Sequence, residues 1–158
     1  MTDAHRGSPV SLGRAAVVAF ALTLSGHYAW ELAQAQWFAD HAGARLSSYA
    51  WHCFVAAWAD VLIAAASYGL TALLFRRTRW ALEAKTLGPA ILWITFGLVI
   101  TVLIELSATA SGRWTYAPSM PTVLGIGLLP LAQWILVPVL TLVVFRAIHH
   151  HRDVARRG

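Results

Sequence analysis

Four apolar runs, near residues 15–38, 48–74, 87–110 and 122–146, take up most of this chain. Each is long enough to cross a hydrocarbon core that needs about 20 helical residues. A helix satisfies its own backbone polar groups within one span, as that medium requires. The expected fold is therefore all-α: an integral membrane four-helix bundle in one domain, its fourth helix broken by Pro130 and Pro138. Short connections make consecutive helices antiparallel neighbours. Composition agrees, with 58% hydrophobic residues and only 12% charged, against about 25% charged in soluble domains.

The distribution of cations sets the expected topology. Arg6 and Arg14 precede the first run, and Arg76, Arg77, Arg79 and Lys85 lie between the second and third. Arg146, Arg152, Arg156 and Arg157 follow the fourth, leaving only Arg45 and Arg113 on the opposite side. The positive-inside rule then puts both termini in the cytoplasm, with residues 147–158 as a basic cytoplasmic tail. The net charge of +5 thus reads as a topology signal, and no nucleic-acid partner is expected. Trp80, in the basic 75–86 loop, is expected at the lipid interface. The small-x-small sequence Ala33-Gln34-Ala35 has the form of a signal-peptide cleavage site. Trp30 and Glu31 just before it, and apolar character continuing through Trp37 and Phe38, favour a retained helix.

The polar residues inside the runs carry the functional argument. A carboxylate at a helix centre costs about 2.5–3.5 kcal/mol even on a lenient insertion scale, so Glu31, Asp60 and Glu105 are expected to face the bundle interior. His27 and Glu31 are one turn apart and share a face. With both termini inside, Glu31, His27, His52 and Glu105 fall in the outer half, Asp60 lies deeper, and Gln133 enters from the fourth helix. His149, His150 and His151 read as part of a solvated basic tail. The lone Cys53 closes disulfide and structural-zinc readings, and no P-loop, GxGxxG or GxSxG motif occurs, so no cofactor or metal is implied.

Three chemistries fit this constellation. Acid–base catalysis on a lipid-soluble substrate would use Glu31, Asp60 and Glu105, with tryptophan rings stabilising positive charge. Trp30, Trp51, Trp58, Trp114 and Trp134 are abundant near the polar groups, as a largely apolar pocket requires. A metal or haem site would draw on His27 and His52, but no Glu-x-x-His pair occurs. An oligomeric proton-coupled carrier would use the acids as a relay, and a non-catalytic accessory or scaffold subunit would use them only to hold helices together.

The run RWTYAPSMPTVLGIGLLPLAQWILVPVL, from Arg113 to Leu140, resembles part of the small heterodimeric-type lycopene cyclases and related carotenoid-biosynthesis membrane proteins. Trp114, Tyr116, Gly125, Pro130, Gln133 and Trp134 are the matching positions. The resemblance implies an isoprenoid-type ligand, with Trp114, Tyr116, Gln133 and Trp134 as binding residues; the polar constellation adds His27 and His52, and the carrier and scaffold readings call for a homo-oligomer or second membrane subunit as partner beside the membrane lipids. That family's paired glutamates after the proline are replaced here by Ala132 and Gln133, so Glu31, Asp60 or Glu105 would supply the proton. Trp30-Glu31-Leu32-Ala33-Gln34 and Trp51-His52-Cys53 resemble segments of uncharacterised small bacterial four-helix membrane proteins, which implies a bacterial inner membrane.

Overall fold

The computed structural model of the protein describes residues 12–41, 43–83 and 86–155, with side chains described as far as residue 150. Four helices account for most of it: α1 (Leu12–Gln34), α2 (Leu46–Phe75), α3 (Leu87–Ala110) and α4 (Leu128–Ala155). Short 3-10 turns at Ala35–Trp37, Ala39–His41 and Trp80–Leu82 fill the connections, and a small antiparallel hairpin, β1 (Thr122–Val123) with β2 (Ile126–Gly127), precedes α4. The main helix contacts run α1 to α2, α2 to α3, α3 to α4 and α4 back to α1, which closes a square.

Three of these helices, α2, α3 and the Leu128–His150 part of α4, are long and apolar enough to cross a membrane. Their inward faces are narrow stripes. In α3 the buried positions are Pro89, Ala90, Trp93, Gly97, Thr101, Glu105 and Ala108, spaced by three or four residues as one helical face demands. The outward face is apolar too: Leu62, Leu73, Leu103 and Leu140 are each more than 60% exposed. A water-soluble bundle would place polar residues there.

Close packing of the square depends on small residues. A Cβ on Gly97 would fall inside the van der Waals contact of Trp134 Cε3, so this glycine lets the indole lie directly against the α3 backbone. On the α1 to α4 side a Cβ on Gly26 would stand 2.9 Å from Val137 Cγ1.

Two expectations are corrected. The fourth helix begins at Leu128, not near 122, because residues 122–127 form the hairpin; Leu124 and Gly125 at its tip both take positive φ (50° and 80°), as a type I′ turn requires. Nor is α4 broken. Pro130 sits in its first turn, where the missing N–H has no intrahelical partner to lose, and the helix continues through Pro138 with one ladder bond fewer.

Trp80 is also not at an interface: it is fully buried, stacked on Tyr68 at 4.9 Å and edge-on to Trp93 at 5.8 Å. Thr86 Oγ1 donates to the Trp80 carbonyl at 3.0 Å, and the Arg146 guanidinium, from α4, donates to the Ala81 carbonyl at 3.0 Å and to Thr86 Oγ1. Those bonds fold the 3-10 turn inward. The expected tail is helical as far as Ala155, and His149 is buried with Nδ1 2.7 Å from the Phe145 carbonyl. Arg6, Lys85, Arg156 and Arg157 lie outside the described residues.

Candidate functional site

On α1, His27, Glu31 and Gln34 follow one another at helical spacing, so their side chains form one polar strip. The strip meets Asp60 of α2 and Gln133 of α4 in the middle of the square. His27, Gln34 and Gln133 are 0%, 4% and 2% exposed, so each hydrogen bond here replaces water almost completely.

Gln133 is the hub. Its Nε2 lies 2.9 Å from Asp60 Oδ2, 3.0 Å from Glu31 Oε1 and 3.0 Å from His27 Nδ1, while its Oε1 accepts from Gln34 Nε2 at 3.2 Å. An amide nitrogen carries two hydrogens and here has three neighbours. The two carboxyl oxygens take those hydrogens. His27 Nδ1, 3.2 Å from Asp60 Oδ2, then acts as a donor to Asp60, which leaves His27 Nε2 sealed and without a partner among the described residues. Gln34 completes the cluster: its Nε2 also donates to Glu31 Oε1 at 2.9 Å, and its Oε1 accepts from the Trp30 indole at 3.0 Å.

Glu105, on α3, is held from above. Its Oε2 accepts from Trp114 Nε1 at 3.2 Å and from the Tyr116 hydroxyl. Both donors come from the loop after α3. That loop is fastened to the segment after α1 by an antiparallel bridge between Phe38 and Tyr116, with Ala39 N–H donating to the Thr115 carbonyl and Ala117 N–H to the Trp37 carbonyl, each at 2.9 Å. Phe38 packs edge-on to Trp114 and tilted against Tyr116. Burial first, and then the bond to Glu105, push the Tyr116 phenol up to about 12, so it remains a donor across the physiological range.

A cavity of about 590 Å³ lies between these two groups, and Glu31, Asp60, Glu105, Gln133, Trp114 and Trp134 all contribute to its wall. That volume falls within the usual range for small-molecule sites, about 300–1,000 Å³. Val55, Ile63 and Ile104 supply apolar wall, and Arg113, whose guanidinium lies 5.4 Å from the Trp114 ring centroid, is the only guanidinium lining it among the described residues. Each of the three carboxyls is held through one oxygen. The other oxygen of each has no donor among the described residues, and none is among the sealed polar atoms, so it is open to the cavity.

The structure thus brings together all three acids named from the sequence, with Gln133, Trp114 and Trp134. His27 and Tyr116 stand behind the wall and orient Asp60 and Glu105. His52 is exposed at the mouth, stacked near His41 (centroids 6.1 Å, 26° between planes), and does not reach the cluster. Trp51 and Trp58 face outward, 69% and 39% exposed, in an aromatic row with Phe54 and Phe20. Sequence reasoning did not single out Gln34, whose signal was its place one turn beyond Glu31 on the same strip, or Phe38 and Arg113, which reach the site only through the fastened loops.

Among the described residues no three of His, Cys, Asp or Glu converge in a metal-binding arrangement. Comparison with protein-family models, with curated proteins and with solved structures gave no match.

Proposed function

We propose that the protein spans a bacterial inner membrane four times with both termini in the cytoplasm, and that it binds a lipid-soluble, isoprenoid-type molecule and acts on it by acid–base chemistry. The observation that carries this reading is the set of three carboxyl groups, from three different helices, each presenting one unpartnered oxygen to one cavity walled by aromatic and aliphatic side chains. Burial of three acids is expensive. Helix pairing alone would return only about 0.6 kcal/mol per polar bond.

In this reading Asp60, backed by His27, gives a proton to one carbon of an alkene, and positive charge develops on the other. Trp114, Trp134 and Glu105 face that charge, the rings by cation–π attraction. Loss of a neighbouring C–H proton to Glu31 gives an isomerised or cyclised alkene, with protons and electrons conserved and no cofactor consumed. The resemblance of the Trp114–Trp134 segment to carotenoid-biosynthesis membrane proteins points to the same substrate class.

The test is to purify the protein, identify co-purifying lipids by mass spectrometry, and compare the wild type with Asp60→Asn and Glu105→Gln. A product made by the wild type and by neither variant is expected. Lipid bound and left unchanged by all three would refute catalysis. The second reading, a non-catalytic scaffold subunit, is favoured by one observation: the side-chain N–H groups of Gln133 and Gln34 are taken up within the cluster. It predicts that Asp60→Asn fails to fold. Topology is tested separately, since an alkaline phosphatase fused after Gly158 is expected to be inactive and one placed in the 39–47 loop active.

A further inference from the structure

A second cavity, of about 360 Å³, lies at the opposite end of the square, against the first halves of α1 and α3 and the second halves of α2 and α4. Its shape is set by the sequence. On α1 the lining runs from Leu12 through Ala16 and Ala19 to Thr23, one face of the helix and about 16 Å long at the α-helical rise. Opposite, Ala64 and Ala65 of α2 again withhold side-chain volume. The result is an elongated apolar groove parallel to the helices, starting at the end where α1 begins and reaching toward the middle of the molecule.

One charged group is open to it among the described residues. The Trp80 side chain is part of the wall, but its indole N–H is sealed and has no acceptor among the described residues. Arg79 lines the same cavity, is exposed, and has no side-chain partner among the described residues. Its neighbours are occupied: Arg77 pairs with Glu83 at 3.3 Å, and Arg146 is bonded to Ala81 and Thr86. The groove therefore combines a channel for a hydrocarbon chain with an uncommitted guanidinium at its wall.

We propose that this groove binds one anionic phospholipid: an acyl chain lies along Ala16 and Ala65, and the phosphate meets Arg79. A zwitterionic choline lipid would bring a second cation to Arg79, whereas an anionic head group leaves the guanidinium its full attraction. The inference rests on the membrane reading but not on the acid–base chemistry of the first cavity.

The test uses full-length protein reconstituted in nanodiscs of equal phosphatidylglycerol and phosphatidylcholine, then transferred to mild detergent for native mass spectrometry. One retained phosphatidylglycerol per chain is expected for the wild type, for Arg76→Gln and for Asp60→Asn. Arg79→Gln should lower its occupancy at least fivefold. Ala65→Phe and Ala16→Phe, both at exposed positions of the groove wall, should displace lipid of either kind. Equal retention of phosphatidylcholine, a free fatty acid in place of phospholipid, or unchanged occupancy in Arg79→Gln would each overturn the proposal. Loss of turnover in Asp60→Asn with phosphatidylglycerol still bound separates this site from the first. A chain that stays monodisperse without detergent would refute both.

Discussion

Gln133 has the largest share of the site's hydrogen bonding, since one primary amide joins α1, α2 and α4 through Glu31, Gln34 and Asp60. Gln133→Leu keeps most of the volume and removes every one of these bonds. Glu31 keeps Gln34 and Asp60 keeps His27 as a donor, so stability is expected to fall by about 0.5–1.5 kcal/mol per bond removed, read as a drop in the thermal midpoint in detergent. A midpoint unchanged from the wild type would mean the cluster contributes nothing to folding. Gly97→Ala is expected to be as damaging for a different reason: the new methyl group overlaps the Trp134 ring, and overpacking of this kind costs about 1–3 kcal/mol. Because Trp134 adjoins Gln133 in α4, the same variant should also weaken ligand binding, which Gly69→Ala, in open space, should not. At this scale the sequence was only half legible. The strip His27, Glu31, Gln34 follows from spacing along one helix, and Glu105 meets Tyr116 only eleven residues away. The reach of Gln133 across 102 residues to Glu31 depends on how α4 is rotated about its axis, which its own apolar pattern leaves open.

Among the elements, the connections hold most of what was not legible. The run from 122 to 146 carries no charge before Arg146, so its first residues read as helix; two consecutive positive φ angles at Leu124 and Gly125 turn them into a hairpin instead. The segment after α1 and the loop after α3 pair as strands do, through Phe38 and Tyr116, although neither alternates in the manner of a strand. Long-range backbone pairing of two irregular segments leaves no trace in either one alone. Tyr116 gives this element a measurable signature. With its phenol pushed up to about 12 in the folded protein, against about 10 unfolded, the unfolded chain loses the proton first. The stabilisation is therefore full below pH 10 and is lost as pH rises from there toward 12. Absorbance titration at the tyrosinate band should show one late-titrating tyrosine that is missing in Tyr116→Phe, and the variant's stability should fall less steeply over that window.

For the whole molecule, helix number and approximate spans were legible because long apolar runs permit little else, and α2 and α3 begin and end within a few residues of expectation. Which tryptophans face inward was not, because lipid and protein interior are alike apolar and both accept an indole. Trp51 and Trp58 are outside, whereas Trp80, Trp93 and Trp134 are inside. In bilayers with brominated acyl chains, replacing Trp51 and Trp58 together by phenylalanine should remove a large share of the quenchable fluorescence. Replacing Trp134, which is buried and does not line the lipid groove, should leave the quenched fraction almost unchanged. Equal quenching losses for inner and outer tryptophans would contradict the packing of the square.

The narrow buried stripes have a consequence for how this protein records its ancestry. Outside the inward stripes, leucine, valine, isoleucine and alanine can replace one another at little energetic cost, because an apolar medium beyond the helix does not distinguish them. Two descendants of one ancestor could therefore keep the Glu31, Asp60, Glu105, Gln133 and Gly97 positions, keep the same square of helices, and agree at scarcely any other site.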